Sequence, residues 1–317
     1  MIHRSYFVFM FFSIMSLNLT QIKAASKATS PVILGVAESN LQLAQISALL
    51  IGEYDNEPQR YYLTGMKRGP SAPPRLHVNI SLLKEGSSNF ALEEREGNEH
   101  IAPTRTGTLT LSAETTTRQI LMRLTSTQTT VSTTASSAIT CVWRWERRPN
   151  VWVARPQDTC SNTSDNSKLS GLAGATLWLS SDELWLETAG QTVLSELGRA
   201  RSYDCYVALK PRGAKVQMFM SLKIHDRGGT VELITDETPA RKLNLMLRRG
   251  TWPSNSGNNL VELLILYLHE EGTNDKLQPS LLGTGWATPE SSRVGFGIEE
   301  EGIPEPKTAN ARCKKIN

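Results

Sequence analysis

Short stretches in which apolar and polar residues alternate recur along most of the chain, and this pattern limits the fold more than any other feature. In Leu76–Leu82 the four apolar residues lie at every second position, so they face one side of an extended strand and the three polar residues face the other. Gly, Pro, Asn and Asp, which are typical of turns, separate the stretches. The pattern predicts an all-β protein built as an antiparallel barrel or sandwich.

The same alternation predicts strands in both halves of the chain. The further stretches are 108–111, 119–124, 141–145, 151–154, 176–179, 183–187, 203–209, 216–224, 231–235, 243–247, 260–269 and 294–298. One helix is predicted before them; it begins at Ser39, where Ser39 and Gln42 fit a capping box, and ends near Gly52. Residues 299–317 combine an acidic run, two prolines and a basic end, which indicates a solvated tail.

Residues 1–28 are organised like a secretory signal peptide. Arg4 precedes an uncharged apolar run at 6–19, and small residues allow cleavage after Ala24 or Ala28. The run is about 14 residues, shorter than the roughly 20 that cross a bilayer, so cleavage is favoured over a retained membrane helix. We therefore expect an exported protein, periplasmic or secreted, with no membrane span after cleavage.

An exported chain with an even number of cysteines favours disulfides. Of the three possible pairings we favour Cys141–Cys160, which brackets a predicted hairpin and its adjoining loop, and Cys205–Cys313, which ties the C-terminal tail to a strand. The cysteines lack the spacing of zinc ligands, so no metal site is expected.

Charge and motifs exclude several classes of function. Lys and Arg number 34 and Asp and Glu 31, so the near-neutral chain lacks the basic surface expected of a nucleic-acid-binding protein. The sequence has no phosphate-binding glycine loop, no dinucleotide fingerprint, no HExxH and no GxSxG. His77, His100, His225 and His269 stand apart from one another, which favours structural roles, and no catalytic residue is identified.

Tryptophans cluster in the middle of the chain and allow two interpretations. They are Trp143, Trp145, Trp152, Trp178 and Trp185. An aromatic core is favoured; the alternative is a calyx with aromatic walls for a flat apolar ligand. If Arg118 and Arg123 faced such a calyx, they would bind a carboxylated ligand, whereas outward-facing, solvated arginines fit the pattern equally well.

Three segments resemble, in order and spacing, the CpcT/CpeT family of chromophore lyases. Residues 49–59 are similar to the family's opening helix followed by Gly, an acidic–aromatic pair, Asn and Gln. Residues 117–124 are similar to its Tyr-Arg-Gln-Arg strand, with Thr117 in place of the Tyr. Residues 140–145 with 158–160 are similar to its two cysteine positions around a hairpin.

The resemblance implies a fold and a domain organisation. The implied fold is a calyx-like antiparallel β-barrel, similar to a lipocalin, with one N-terminal helix, covering residues 39–211. Residues 212–317 then form an additional C-terminal β region, as in exported bacterial members of the family.

The resemblance also implies an activity. Such a lyase binds a linear tetrapyrrole (bilin) and assists its thioether attachment to a cysteine of a phycobiliprotein, so the bilin is the substrate, the partner is an acceptor protein and no cofactor is required. The implied ligand-binding residues are Asn56, Gln59, Arg118, Gln119 and Arg123. The alternative is a non-enzymatic exported barrel that binds an apolar ligand, and open barrel edges would suit a homodimer.

Overall fold

A computed structural model confirms that the protein is all-β, with a barrel, an N-terminal helix and further C-terminal sheets. The structure describes residues 36–65, 71–114, 116–117, 119–128, 137–157, 160, 171–210, 215–253, 260–271, 280–297 and 309–316. The predicted signal peptide, residues 1–28, lies outside the described residues, as does Arg118.

Two helices lie at the N-terminal end of the described chain. Helix α1 (Val36–Leu50) begins before the predicted start, so Ser39 is a buried residue within it. Its side chains Ile46 and Leu50 are fully buried in the barrel core. Helix α2 (Glu57–Gly65) was not predicted. Neither described helix is both long and apolar enough to span a membrane.

Ten antiparallel strands form a closed barrel in which each strand pairs with its neighbours in sequence. They are β1 (Gly52–Asp55), β2 (Leu76–Leu82), β3 (Asn89–Glu96), β4 (Arg105–Ala113), β5 (Ile120–Gln128), β6 (Ser137–Arg148), β7 (Val151–Pro156), β8 (Thr176–Leu179), β9 (Glu183–Glu187) and β10 (Ser195–Arg199). Strand β1 closes the barrel by pairing with both β2 and β10. These ten strands leave no barrel edge for the expected edge-to-edge dimer.

The barrel interior is filled by its own side chains. Phe90 of β3, Met122 of β5 and Trp143 of β6 are fully buried at inward positions. The indole Nε1 of Trp143 donates a hydrogen bond to the Ala175 carbonyl oxygen at 2.7 Å. For Trp143, Trp145 and Trp152 the aromatic-core interpretation is confirmed, because all three belong to the core cluster.

The last eight strands form a sandwich of two four-stranded sheets. They are β11 (Ser202–Leu209), β12 (Gln217–His225), β13 (Arg227–Ile234), β14 (Lys242–Pro253), β15 (Leu260–Glu270), β16 (Ser280–Ala287), β17 (Arg293–Phe296) and β18 (Ala309–Lys315). One sheet has the order β12-β11-β18-β17 and the other the order β13-β14-β15-β16. A second hydrophobic core, with members from both sheets, lies between them.

The structure of the sandwich corrects two sequence-based expectations. Strand β11 pairs with β12 and β18, so the barrel ends at Arg199 and not at the expected boundary, residue 211. The predicted solvated tail contains β18, which lies between β11 and β17. Ala309, Ala311 and Cys313 are buried on its inner face, which gives this strand a role in the core.

Both predicted disulfides are confirmed. Cys141 of β6 is bonded to Cys160, at a Cα–Cα distance of 4.4 Å. Cys205 of β11 is bonded to Cys313, its directly opposite residue on β18. Two disulfides are compatible with an exported protein.

Candidate functional site

Two of the predicted ligand-binding residues hold the barrel framework. The amide of Asn56 is buried; its Nδ2 donates to the Pro74 carbonyl at 3.0 Å and its Oδ1 accepts from the Leu76 N–H at 2.8 Å. Gln59 on α2 donates to the Leu194 carbonyl at 2.7 Å and accepts from the Glu196 N–H at 2.9 Å. These contacts fix loops next to β2 and β10.

The other predicted residues lie elsewhere. Met122 and Leu124 occupy the inward positions of β5, so Arg123 between them is exposed on the outer face of the barrel. Gln119 is half-buried just before β5, and its backbone N–H contacts the Thr117 hydroxyl. Arg118 lies outside the described residues. The structure therefore does not bring Asn56, Gln59 and Arg123 to one ligand in the barrel interior.

A cavity of about 560 Å³ lies on the sandwich, and we call it the groove. Its lining residues are Asp204, Tyr206, Trp286, Arg293, Val294, Gly295, Phe296, Gly297, Arg312, Cys313 and Lys314. Strand alternation creates it: Cys205 and Cys313 face the core, so Tyr206 and Arg312 face outward as a directly opposed pair. Gly295 is paired with Arg312 in the next strand, and a Cβ atom at Gly295 would lie 2.8 Å from Arg312 Cγ, so the lack of a side chain makes room for the Arg312 side chain.

Positive charge and aromatic surface meet in the groove. Arg293, Arg312 and Lys314 line it against one lining carboxylate, Asp204, which already pairs with Lys223 at 3.3 Å. Trp286 is 46 % exposed beside them, an unusual exposure for a side chain of its size. Guanidinium groups next to an exposed aromatic ring suit a flat ligand that carries carboxylates.

A second cavity of about 410 Å³ lies on the barrel surface. Trp178 of β8 is directly opposite Trp185 of β9, and both line this cavity together with Leu194. The carbonyl of Leu194 is held by Gln59, so a predicted residue supports the wall of this cavity. The indole Nε1 of Trp178 is buried and has no hydrogen-bond partner within the described part of the chain.

A third arrangement lies where the barrel meets the sandwich. We call it the junction cluster; its members are Glu53, Asp55, Arg75, His77, Glu99 and His225. In β2, Leu76 and Val78 point into the barrel core, which leaves His77 on the outer face, directly opposite Asp55 of β1. The turn between β12 and β13 covers this face, and His225 at the end of β12 enters the cluster.

Short contacts connect the cluster. His77 Nδ1 lies 3.2 Å from Asp55 Oδ2, and His77 Nε2 lies 3.3 Å from Glu53 Oε1. Arg75 Nη2 donates to Asp55 at 2.8 Å and to the Gly228 carbonyl at 2.9 Å. The imidazole rings of His77 and His225 have centroids 5.3 Å apart.

Electrostatics within the cluster move two pKa values far from their ordinary range. Burial lowers the pKa of His77, but hydrogen bonds to Asp55 and Glu53 outweigh it and raise this pKa from 6.5 to about 9. Burial raises the pKa of Glu99, whereas contacts with His225 and the Thr230 N–H lower it to about 2. His77 is therefore an imidazolium at neutral pH in this arrangement.

The junction cluster was missed by the sequence interpretation. The strand predicted at Leu76–Leu82 contains His77, as observed, and His225 follows the predicted strand 216–224 and ends β12 in the structure. Strand patterns do not reveal which face of the barrel the turn after β12 covers. The parity of β2 places His77 on the outer face, opposite to the inward-facing Leu76, Val78 and Ile80, but the sequence does not show that this outer face is covered.

No family model, no curated protein and no solved structure matches the chain.

Proposed function

We propose that the protein binds a linear tetrapyrrole (bilin), or a flat conjugated ligand of the same chemistry, in the groove of the sandwich. The observation that carries the proposal is the combination of Arg293, Arg312 and Lys314 with the exposed ring of Trp286 around one cavity. A bilin presents a flat conjugated chain and two carboxylates, so it can stack on an aromatic ring and accept charged hydrogen bonds together.

The resemblance to chromophore lyases supports the ligand class and adds an activity. The proposed activity is presentation of the bound bilin to an acceptor cysteine on a second protein. The cysteine sulfur adds to the exocyclic double bond of the bilin and the thiol proton goes to the bilin, so a thioether forms without an oxidant or a leaving group. Binding is supported by the groove; transfer is supported by the resemblance alone. The two are therefore tested in separate experiments.

The binding experiment is a titration of the purified protein with biliverdin and with phycocyanobilin, followed by absorbance and Trp fluorescence. We expect saturable quenching and a red-shifted bilin band, because Trp286 lies beside the cavity. The dimethyl ester of biliverdin is the matched ligand, and it should bind about 10-fold or more weakly, since it lacks the carboxylates that the guanidinium groups would contact.

Variants locate the site. Arg293→Ala with Arg312→Ala should weaken biliverdin binding about 10-fold or more, whereas Arg148→Ala, which removes an exposed arginine of the barrel, should not change it. If Arg123→Ala abolished binding, the ligand would lie at the barrel as the resemblance implied. Absence of saturable binding of either bilin at high micromolar concentration would contradict the proposal.

The transfer experiment adds an apo-phycobiliprotein to the bilin-loaded protein. A covalent bilin adduct on the acceptor, seen by mass spectrometry and faster than with free bilin, is the result expected of a lyase. An unchanged rate would leave a binding protein without lyase activity.

A second candidate function is binding of an apolar ligand at the barrel surface. The cavity beside Trp178 and Trp185 favours it, because its lining includes two indole rings and Leu194 but no Lys or Arg. In the same titrations, equal affinity for biliverdin and its dimethyl ester, lost in Trp185→Ala but kept in Trp286→Ala, would select this candidate.

A further inference from the structure

The junction cluster contains a set of side chains that matches a metal site. A carboxylate oxygen of Glu53 and imidazole nitrogens of His77 and His225 all lie within 4.8 Å of one another. Two histidines and one carboxylate are the protein ligands of zinc sites that keep an open fourth position, and they also suit iron. We propose that these three residues bind a divalent transition-metal ion, with Zn²⁺ as the probe.

An unpartnered nitrogen at the cluster is an independent sign of a ligand. His225 is 3 % exposed, and its Nε2 has no hydrogen-bond partner among the residues that the structure describes. The nearest carboxylate oxygens, on Glu99 and Asp55, lie at 3.8 and 3.9 Å, which is too long for a hydrogen bond. Because a buried polar atom without a partner is costly, a bound ion at this nitrogen accounts for its position.

Neighbouring groups orient one imidazole for a metal ion. Asp55 accepts from His77 Nδ1, so His77 Nε2 faces Glu53 and becomes the ligand atom once its proton is lost to solvent. A carboxylate that holds the far nitrogen of a ligating histidine is the usual support of such sites.

The second imidazole must change its tautomer. His225 Nδ1 accepts from the backbone N–H of Arg227 at 3.2 Å, so the neutral tautomer compatible with this contact carries its proton on Nε2. When the ion binds Nε2, the proton moves to Nδ1 and the contact with the Arg227 N–H opens. The free energy gained from the metal–nitrogen bond must therefore exceed the free energy lost with the hydrogen bond from the Arg227 N–H.

The charge of the cluster fits a divalent cation. Glu53, Asp55 and Glu99 carry three negative charges, and Arg75 supplies one positive charge. With both imidazoles neutral, as metal binding requires, the remaining charge is −2. One M²⁺ ion balances it, in a place where an uncompensated buried charge would be costly.

Metal binding also requires the ligands to approach one another. Zn–N and Zn–O bonds of about 2.0–2.2 Å place tetrahedral ligand atoms roughly 3.3 Å apart. His77 Nε2 and Glu53 Oε1 already lie 3.3 Å apart, whereas the three ligand atoms together spread over up to 4.8 Å, so the approach is mainly between this pair and His225. The side chain of Glu53 is 29 % exposed, in contrast to the buried histidines, so it has the most room to move. Because His225 belongs to the sandwich and the other two ligands to the barrel, the ion would join both halves of the molecule.

The test uses tag-free protein that has been treated with a chelator and dialysed. Calorimetric titration with Zn²⁺ should show one equivalent bound with micromolar or tighter Kd, and Co²⁺ should give the visible absorption bands of a tetrahedral nitrogen–oxygen site. His225→Gln should weaken Zn²⁺ binding at least about 100-fold, because loss of a ligand exceeds the 10–100-fold cost of losing a supporting residue.

Two further variants keep the test decisive. Glu53→Gln replaces the most exposed ligand by an isosteric amide, so it should weaken binding while leaving the circular dichroism spectrum unchanged. His269→Gln removes a half-buried histidine of β15 outside the cluster and should leave affinity and stoichiometry unchanged. The proposal is overturned if no saturable uptake occurs, or if uptake is the same in wild type, His225→Gln and Glu53→Gln. Zinc uptake and bilin binding use different residues, so failure of one leaves the other testable.

Discussion

At the scale of single residues, one hydroxyl joins the first helix to the barrel. The Tyr54 side chain points into the barrel core, and its hydroxyl donates to the Leu49 carbonyl at the end of α1 at 2.6 Å. The same oxygen accepts from Arg199 Nη2 at 2.8 Å. Burial raises the pKa of Tyr54 from 10.0 to about 12, although Arg199 acts in the opposite direction.

This pKa predicts a loss of stability at alkaline pH. Between pH 10 and 12 the unfolded chain loses the Tyr54 proton and the folded chain keeps it, so the free energy of unfolding falls as pH rises, by up to about 2–3 kcal/mol. Urea unfolding at pH 9 and pH 11.5 should show a smaller fall in Tyr54→Phe than in wild type. Both proteins contain the same lysines, so the difference between their two falls reports Tyr54 alone. An equal fall in both proteins would refute the raised pKa of Tyr54.

Single residues also show how far the sequence could predict the sites. Ile120, Met122 and Leu124 share one strand parity, so the outward direction of Arg123 was available from the sequence. The meeting of His77 with His225 was not, because it depends on which turn of the sandwich covers which face of the barrel. No local pattern in the sequence encodes that contact.

At the scale of elements, the β12–β13 turn docks the sandwich on the barrel through close backbone approach. Gly228 has φ of 89°, and a Cβ atom there would lie 2.6 Å from Glu57 Cγ on α2. Its carbonyl accepts from Arg75, and the Thr230 N–H donates to Glu99 at 2.5 Å. Any side chain at Gly228 would therefore strain the backbone and would also overlap the side chain of Glu57.

Two glycine substitutions separate these effects. Gly228→Ala should lower the free energy of unfolding by about 2–4 kcal/mol, because strain at positive φ adds to the overlap with Glu57. Gly190→Ala is the matched control: its φ is 83°, yet no atom lies within 4 Å of the added Cβ, so only about 1 kcal/mol of strain is expected. Chemical unfolding curves measure both, and equal losses would show that the turn is not tightly docked.

Strands β3, β10 and β16 were not predicted and the strand β18 was taken for a tail; β18 and β3 show why a pattern fails. Strand β18 buries Ala309, Ala311 and Cys313, whose weak hydrophobicity made the tail look solvated. Strand β3 alternates correctly through Phe90 and Leu92 but continues to Glu94, a buried carboxylate that accepts from Arg105 and from the Leu172 N–H. A charged residue at an inward position hides a strand from pattern-based analysis, since only its tertiary partners make it tolerable.

At the scale of the whole molecule, each half of the protein contains its own disulfide. Cys141–Cys160 lies in the barrel and spans 19 residues, whereas Cys205–Cys313 joins the first and last strands of the sandwich across 108 residues. All four cysteines are buried. The two bridges therefore differ mainly in the length of chain that they close.

Loop length predicts that the sandwich disulfide stabilises more than the barrel disulfide. A crosslink reduces the entropy of the unfolded chain, and the reduction grows with the logarithm of the number of residues in the loop that it closes. The resulting stabilisation of the folded protein is about 3 kcal/mol for Cys141–Cys160 and about 5 kcal/mol for Cys205–Cys313. Replacing each pair by alanine leaves similar small cavities in both cores, so cavity costs cancel between the two variants. In non-reducing urea unfolding, the Cys205→Ala/Cys313→Ala protein should be less stable than the Cys141→Ala/Cys160→Ala protein by about 1–2 kcal/mol. The reverse order would mean that the unfolded sandwich keeps enough structure to hold its first and last strands together without the bridge.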